Sequence, residues 1–318
     1  VISPAQRDDL MGRSPHNAVR LELPEIPYDE VADLIARWTA EGVLGTPEQP
    51  EMVAWTQTFT ADGVTRERRT IMAAVELQPY SARVVRPHER THAGPKEDRL
   101  RLLRAAQTQL SPVFSVYPDP ENAAWAAAAP SGHPEAEFTD EEGTVHRIWR
   151  ITDPAVHDAV AAVLADRWVL IADGHHRYET ALAYRDERRA AGDAAGAQDY
   201  VMMGLTALDD PGLVVFPTHR ILSHLGDDAF AGMETTDVSD VAELIDKLAA
   251  APTDRLVFGA VRPDSAQVVM GPSRDGLAPA DRIEAAMIER LILVPALGQD
   301  QAALAHDGLL TYTKDAAE

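Results

Sequence analysis

Arg167-Trp168-Val169-Leu170-Ile171-Ala172-Asp173-Gly174-His175-His176-Arg177-Tyr178-Glu179 is an apolar run that stops at an Asp-Gly pair and releases two histidines and an arginine. Trp168 to Ala172 reads as a short buried strand, and Tyr178 to about Arg189 as the helix after the turn. Residues 154–165 carry helical spacing ahead of the strand. The resulting helix, strand, helix unit points to a mixed α/β chain.

The same stretch has a chemical reading. A buried strand that ends in a glycine turn, with cations and backbone N–H groups at the next helix start, is a physical means of holding phosphate. Gly174 permits a positive φ, and His175, His176 and Arg177 supply donors for successive phosphate oxygens. Asp173 can orient a histidine or hold Mg²⁺. The plain alternative is a turn followed by an ordinary helix. Against it, three cations at a helix N-terminus oppose the macrodipole and call for a ligand or an acidic partner.

Outward from this unit the pattern stays mixed. Ser3-Pro4-Ala5-Gln6 forms a capping box, and Val31, Leu34, Ile35 and Trp38 repeat at helical spacing. Strands are expected at 52–59 and 70–77, joined by the Asp62-Gly63 turn, with a further short strand at 84–86. A helix is expected over 96–109 and a strand over 112–117. Residues 118–137, rich in Ala and Pro, read as a loop before a hairpin around Glu142-Gly143. That gives an N-terminal part (1–117), an excursion (118–145) and a C-terminal part (146–318), compatible with one compact unit. In the last part, 200–208 and 213–216 flank Asp209-Asp210-Pro211-Gly212 as another hairpin. Helix 239–250, strands near 256–261 and 267–270, and helix 282–293 follow.

Composition narrows the partners. Lys and Arg total 29 against 51 Asp and Glu, a net charge of −22 that repels nucleic acid and anionic membranes. The expected partner is therefore a small phosphorylated molecule met by a local cationic cluster, with no nucleic acid and no membrane. The absence of cysteine excludes disulfides, thiolate nucleophiles and cysteine-based zinc sites. No apolar stretch approaches the roughly 18 to 20 residues that span a bilayer, and no signal peptide is visible. The cytoplasm is the expected location.

Other motifs add to the turn. His88-Glu89-Arg90-Thr91-His92 matches the zinc-peptidase pattern H-E-x-x-H, but Pro87 before it and Gly94-Pro95 after it leave little room for the long helix such sites need. Glu89 flanked by His88 and Arg90 instead offers a carboxylate base beside cations. Lys96 and Arg99 start a helix, and Pro217-Thr218-His219-Arg220 repeats the theme of a run ending in hydroxyl, imidazole and guanidinium.

On these residues the chain resembles a bacterial family known mainly as a domain of unknown function, DUF1015. The resemblance rests on Arg13-Ser14-Pro15-His16-Asn17-Ala18-Val19-Arg20-Leu21, Pro87-His88-Glu89-Arg90-Thr91, Gly94-Pro95-Lys96, Leu110-Ser111-Pro112, the run from Ile171 to Ala181, and Pro217-Thr218-His219-Arg220. Such proteins usually carry more sequence ahead of Val1, so a preceding N-terminal piece is expected. The family is distantly similar to the ParB/sulfiredoxin superfamily, whose Gly-x-x-Arg turn binds nucleotide phosphates and which includes free serine kinases. Gly174 and Arg177 match that turn, and Glu89 matches the kinases' glutamate base.

The resemblance implies an α/β (α+β mixed) fold with a ParB/sulfiredoxin-like mixed-sheet core and additional α+β elements at both ends. It also implies phosphoryl transfer involving serine or a similar small hydroxylated metabolite. Glu89 would take the hydroxyl proton, and Asp173 with Mg²⁺ would fix a donor such as ATP, ADP or pyrophosphate. His175, His176 and Arg177 would neutralise developing charge. Arg90, Lys96, His219 and Arg220 complete the expected phosphate-binding set with Gly174. Sulfiredoxin chemistry is excluded by the missing cysteine, and ParB-like DNA binding is unsupported in so acidic a chain. Three alternatives stand beside the kinase. One is a phosphoserine phosphatase using the same groups. The second is a non-catalytic nucleotide- or phosphate-binding regulatory module that keeps the turn without needing Glu89, and the third a zinc metallohydrolase through His88, Glu89 and His92.

Overall fold

The computed structural model describes residues 3–61, 63–88, 93–216 and 218–313. The chain divides after Val214 into two compact units. The first carries helices α1 (Pro4–Arg13), α2 (Val19–Glu22), α3 (Tyr28–Ala40), α4 (Ala93–Ala106), α5 (Ala123–Ala128), α6 (Pro154–Leu164) and α7 (His175–Ala190). Its strands are β1 (Met52–Ala61), β2 (Val64–Glu76), β3 (Val85–Arg86), β4 (Val113–Tyr117), β5 (Ala136–Thr139), β6 (Val145–Ile151), β7 (Val169–Asp173) and β8 (Tyr200–Ala207).

These eight strands form one mixed sheet in the order β3-β7-β4-β8-β2-β1-β6-β5. The β3–β7 and β4–β8 pairs are parallel and the others antiparallel. This is the mixed α/β architecture expected from the sequence. Alternation along β8 explains its place at the centre. Val201, Met203, Leu205 and Ala207 are buried in the main core with Ile71, Ile171, Val160 and Tyr178, while Met202, Gly204 and Thr206 project from the opposite face. On that second face the Thr70 and Thr206 hydroxyls meet at 2.8 Å. A separate cluster joins α3 to α4 through Val31, Trp38, Leu102 and Ala106.

Several expectations need adjusting. The 118–145 excursion, read as loop up to residue 137, holds α5 and β5. The buried Asp119 carboxylate accepts from Ala124 N–H at 2.9 Å, which starts α5 without a conventional cap. The hairpin after it is present, with Asp140 Oδ1 accepting from Glu142 and Thr144 N–H and Gly143 at φ +82°. Residues 213–216 form no strand. The physical reason lies in the sheet order: β8 already has β4 on one side and β2 on the other, so no hydrogen-bonding edge is left for a hairpin partner. Instead Asp210 Oδ1 accepts from Gly212 N–H at 2.9 Å and turns the chain onto β2.

Two side chains tie the layers together. Gln109 donates to Tyr200 O at 2.8 Å and accepts from Met202 N–H, so its amide continues the β4 ladder beyond the strand. Arg104 on α4 grips both Glu187 oxygens on α7, at 2.9 and 2.7 Å.

The second unit contains β9 (His219–Leu222), β10 (Glu234–Val238), β11 (Arg255–Arg262), β12 (Ser265–Ser273) and β13 (Leu310–Thr313). A three-stranded antiparallel sheet in the order β10-β12-β11 packs on α8 (Val241–Ala249), which buries Leu244 against Val257 and Val268. The α9 helix (Glu284–Ile288) continues through a π-helical turn (Glu289–Leu293) into α10 (Val294–Leu297), and α11 (Gln301–His306) follows. Pro295 accounts for the widened turn, because it has no N–H for the carbonyl one turn earlier. Among the described residues no helix is long and apolar enough to cross a membrane.

Gly212 lies so close to β2 that a Cβ would sit 2.2 Å from the Glu67 carbonyl. Gly212→Ala should therefore destabilise the first unit by about 3 kcal/mol, read from denaturant midpoints. The Arg104 hydrogen bond holds the Glu187 carboxyl below its ordinary pKa. A carboxylate lowered in the folded state stabilises above its unfolded pKa, and that contribution is lost as pH falls through the folded value. The pair is largely exposed, so Arg104→Ala should cost under about 1 kcal/mol at neutral pH. Measured across a pH series, the difference from the parent should vanish as the solution is acidified below pH ~4.

Candidate functional site

The turn is built by the end of β7. Phe114 of β4 faces Asp173, and the register shifts between Phe114 and Ser115, so the ladder is irregular where the strand stops. Gly174 then takes φ +95° and caps α7, with no side-chain cap on the helix. The helix thus begins at His175, three residues earlier than the apolar spacing indicates, and places His175, His176 and Arg177 on its first turn. Tyr178, fully buried, anchors that turn. Its hydroxyl donates to Gln78 O at 2.7 Å and accepts from Gln78 N–H at 3.0 Å, and its ring stacks on Tyr80 at 5.5 Å.

Arg177 folds back across the glycine. Its guanidinium donates to the Asp173 carboxylate and to the Pro112 carbonyl, and a Cβ on Gly174 would lie 2.9 Å from its Nε. Glycine is therefore required twice, for the backbone angle and for the guanidinium lying over it. Asp173 has 73% of its side chain exposed, and Oδ1 makes no hydrogen bond among the described residues.

The histidines divide. His175 is 1% exposed, and its Nε2 accepts the His88 N–H at 3.2 Å, which assigns its proton to Nδ1. His88 meets it edge-on, with ring centroids 4.5 Å apart, and donates from Nδ1 to Ile171 O at 2.7 Å. The exposed His88 keeps Nε2 as its second nitrogen, oriented by a backbone carbonyl and a buried imidazole. His176 is half-buried on the same turn. The sequence marks His88 through the zinc pattern and as a neighbour of Glu89, but not its contact with His175, which spans 87 positions.

The remaining expected residues divide between α4, β9 and positions outside the described residues. Glu89, Arg90 and His92 lie outside the described residues, and so does the His88, Glu89, His92 zinc reading as a set. Lys96 is on the first turn of α4. His219 and Arg220 lie on β9 in the second unit, where Arg220 donates to Gln301 Oε1 at 2.7 Å and Gln301 in turn donates to Glu289. Among the described residues no group of three or more His, Asp or Glu side chains is arranged to hold a metal ion. Mg²⁺ commonly binds through one or two carboxylates with phosphate oxygens and water completing its shell, and the exposed Asp173 carboxylate suits that mode.

The turn, the His88 segment and the stretch through β9 all fall within residues 1–285, which match the family described as "Protein of unknown function (DUF1015)". The chain belongs to the DUF1015 family. No curated protein and no solved structure matches it. In this DUF1015 protein the first consequence to check is the glycine. Gly174→Ala should cost about 1–2 kcal/mol in unfolding free energy and displace Arg177 from Asp173, seen as a loss of protection at the start of α7 in hydrogen exchange.

Proposed function

We propose that this protein is a phosphotransferase acting on serine or a similar small hydroxylated metabolite, with its phosphate held at the Asp173–Arg177 turn. The observation that supports it most is the turn itself. A left-handed glycine opens a sixteen-residue helix that has no side-chain cap, and a guanidinium and a carboxylate are fixed across that glycine. Phosphoryl transfer needs little covalent help from a protein and depends on positioning and charge. Arg177 and the α7 N-terminus would meet the phosphoryl oxygens, and Asp173 would hold Mg²⁺ against the donor, whether ATP, ADP or pyrophosphate. Magnesium, when bound, would supply charge neutralisation between phosphate groups.

Glu89 is assigned as the base that takes the acceptor proton. His88 precedes it in the chain, and the His175–His88 contact fixes the segment's start to β7 and α7. His175 therefore acts as a positioning residue in this reading. The same groups, with water in place of the hydroxyl, would run a phosphoserine phosphatase.

The test is twofold. Thermal shift with nucleotides, pyrophosphate, serine and phosphoserine, each with and without Mg²⁺, should give a stabilising ligand worth about 2.7 kcal/mol at 100 times its Kd. With that ligand, Glu89→Gln should lower turnover by at least about 100-fold while leaving binding within a few-fold. Unchanged turnover removes the base assignment, and silence across the screen removes phosphotransfer.

A further inference from the structure

Beside the turn, a cleft of about 70 Å³ is lined by Arg99 of α4, Ser111, and Arg177 and Thr180 of α7. Thr180 is 4% exposed, and its hydroxyl makes no hydrogen bond among the described residues. A buried hydroxyl without a partner is costly, and here it shares a largely apolar cleft with Arg99 and Arg177. Arg177 is already paired with Asp173, whereas Arg99 donates to the Glu22 carbonyl, so in a chain of net charge −22 Arg99 and the unpartnered Thr180 hydroxyl are the groups that favour an anion.

The cleft shares the wall formed by Leu103, Gln109, Ala181 and Val201 with a larger hollow of about 500 Å³. That hollow is lined by α4, α7 and residues of β1, β2 and β8. Ala74 faces Met202 in the β2–β8 register, and Met72 is two positions along the same face. These three make an apolar floor, and Tyr184 of α7 lines the hollow as well. A space of this size is in the range that holds a whole small molecule, and serine would fill only a fraction of it.

We infer that the α4–α7 cleft and the adjoining hollow bind an organic anion with an apolar body, its phosphate or carboxylate at Arg99 and Thr180 and its body over Met72, Ala74 and Met202. This goes beyond the phosphotransfer reading and shares only Arg177 with it, since Arg99 and Thr180 have no part in the proposed transfer. The headgroup chemistry is shared by phosphate monoesters and carboxylates.

Isothermal titration of the whole chain with 1-naphthyl phosphate, 1-naphthoate and inorganic phosphate distinguishes the cases. On the parent protein at least one naphthyl anion should bind about tenfold or more tightly than inorganic phosphate. Thr180→Val, which keeps the shape and removes the unpaired hydroxyl, should be no less stable without ligand and should bind that anion about tenfold more weakly. Ala74→Phe, at an exposed position on the floor, should abolish the naphthyl advantage and leave inorganic phosphate unaffected. The inference is overturned if the naphthyl anions bind no tighter than phosphate, or if both variants bind them as the parent does. Naphthyl binding with no phosphate binding would uphold it while counting against the phosphate role of the turn.

Discussion

The guanidinium of Arg177, held between the Pro112 carbonyl and the Asp173 carboxylate, is where β4, β7 and α7 meet. It can lie there because Gly174 has no Cβ, and Gly174 can adopt its left-handed angle for the same reason. One backbone position thus sets the direction in which α7 leaves the sheet. The helix then carries Tyr178 to Gln78, Thr180 to the cleft and Glu187 to Arg104, each fixed by the turn that precedes it.

The apolar runs made much of this legible. Alternating and continuous runs marked β1, β2, β4, β7 and β8, and helical spacing marked α3, α4 and α6, because local pattern decides where a chain can bury one face. What was hidden depended on distant partners. The β9–β13 pair joins segments some ninety positions apart, and β9 has too few apolar residues to announce itself. The Asp119 contact that starts α5 replaces the usual cap, so an Ala- and Pro-rich stretch read as loop. Apolar spacing alone puts the start of α7 three residues late, because a glycine reads as a turn and only the geometry marks it as a cap.

The candidate site divides along the same line. The order strand, glycine, cations could be read directly from 167–179, and so could the family to which the chain belongs. The burial of His175 could not, since two adjacent histidines look alike in sequence. One faces inward to hold His88, and the other stays half-buried on the same turn. The acidic composition has a structural counterpart. The arginines around the turn are met by carbonyl oxygens as well as carboxylates, including Arg99 on Glu22 O and Arg177 on Pro112 O. A carbonyl fixes a guanidinium without cancelling its charge, so Arg99 keeps its positive charge within an acidic molecule, whereas that of Arg177 is met by Asp173.

Gln109 has a mechanical consequence. Its amide stands in for a peptide group beside Tyr200 and Met202, so the segment leaving α4 is stitched to the central strand by two bonds. With Arg104 gripping Glu187 further up the helix, α4 is restrained at both the strand and the neighbouring helix. The hollow that α4 lines with α7 is therefore bounded on that side by a helix tied to the sheet. Access to it is governed by rotation of the side chains at its rim, and swinging the helix outward would first require undoing a rung of the sheet.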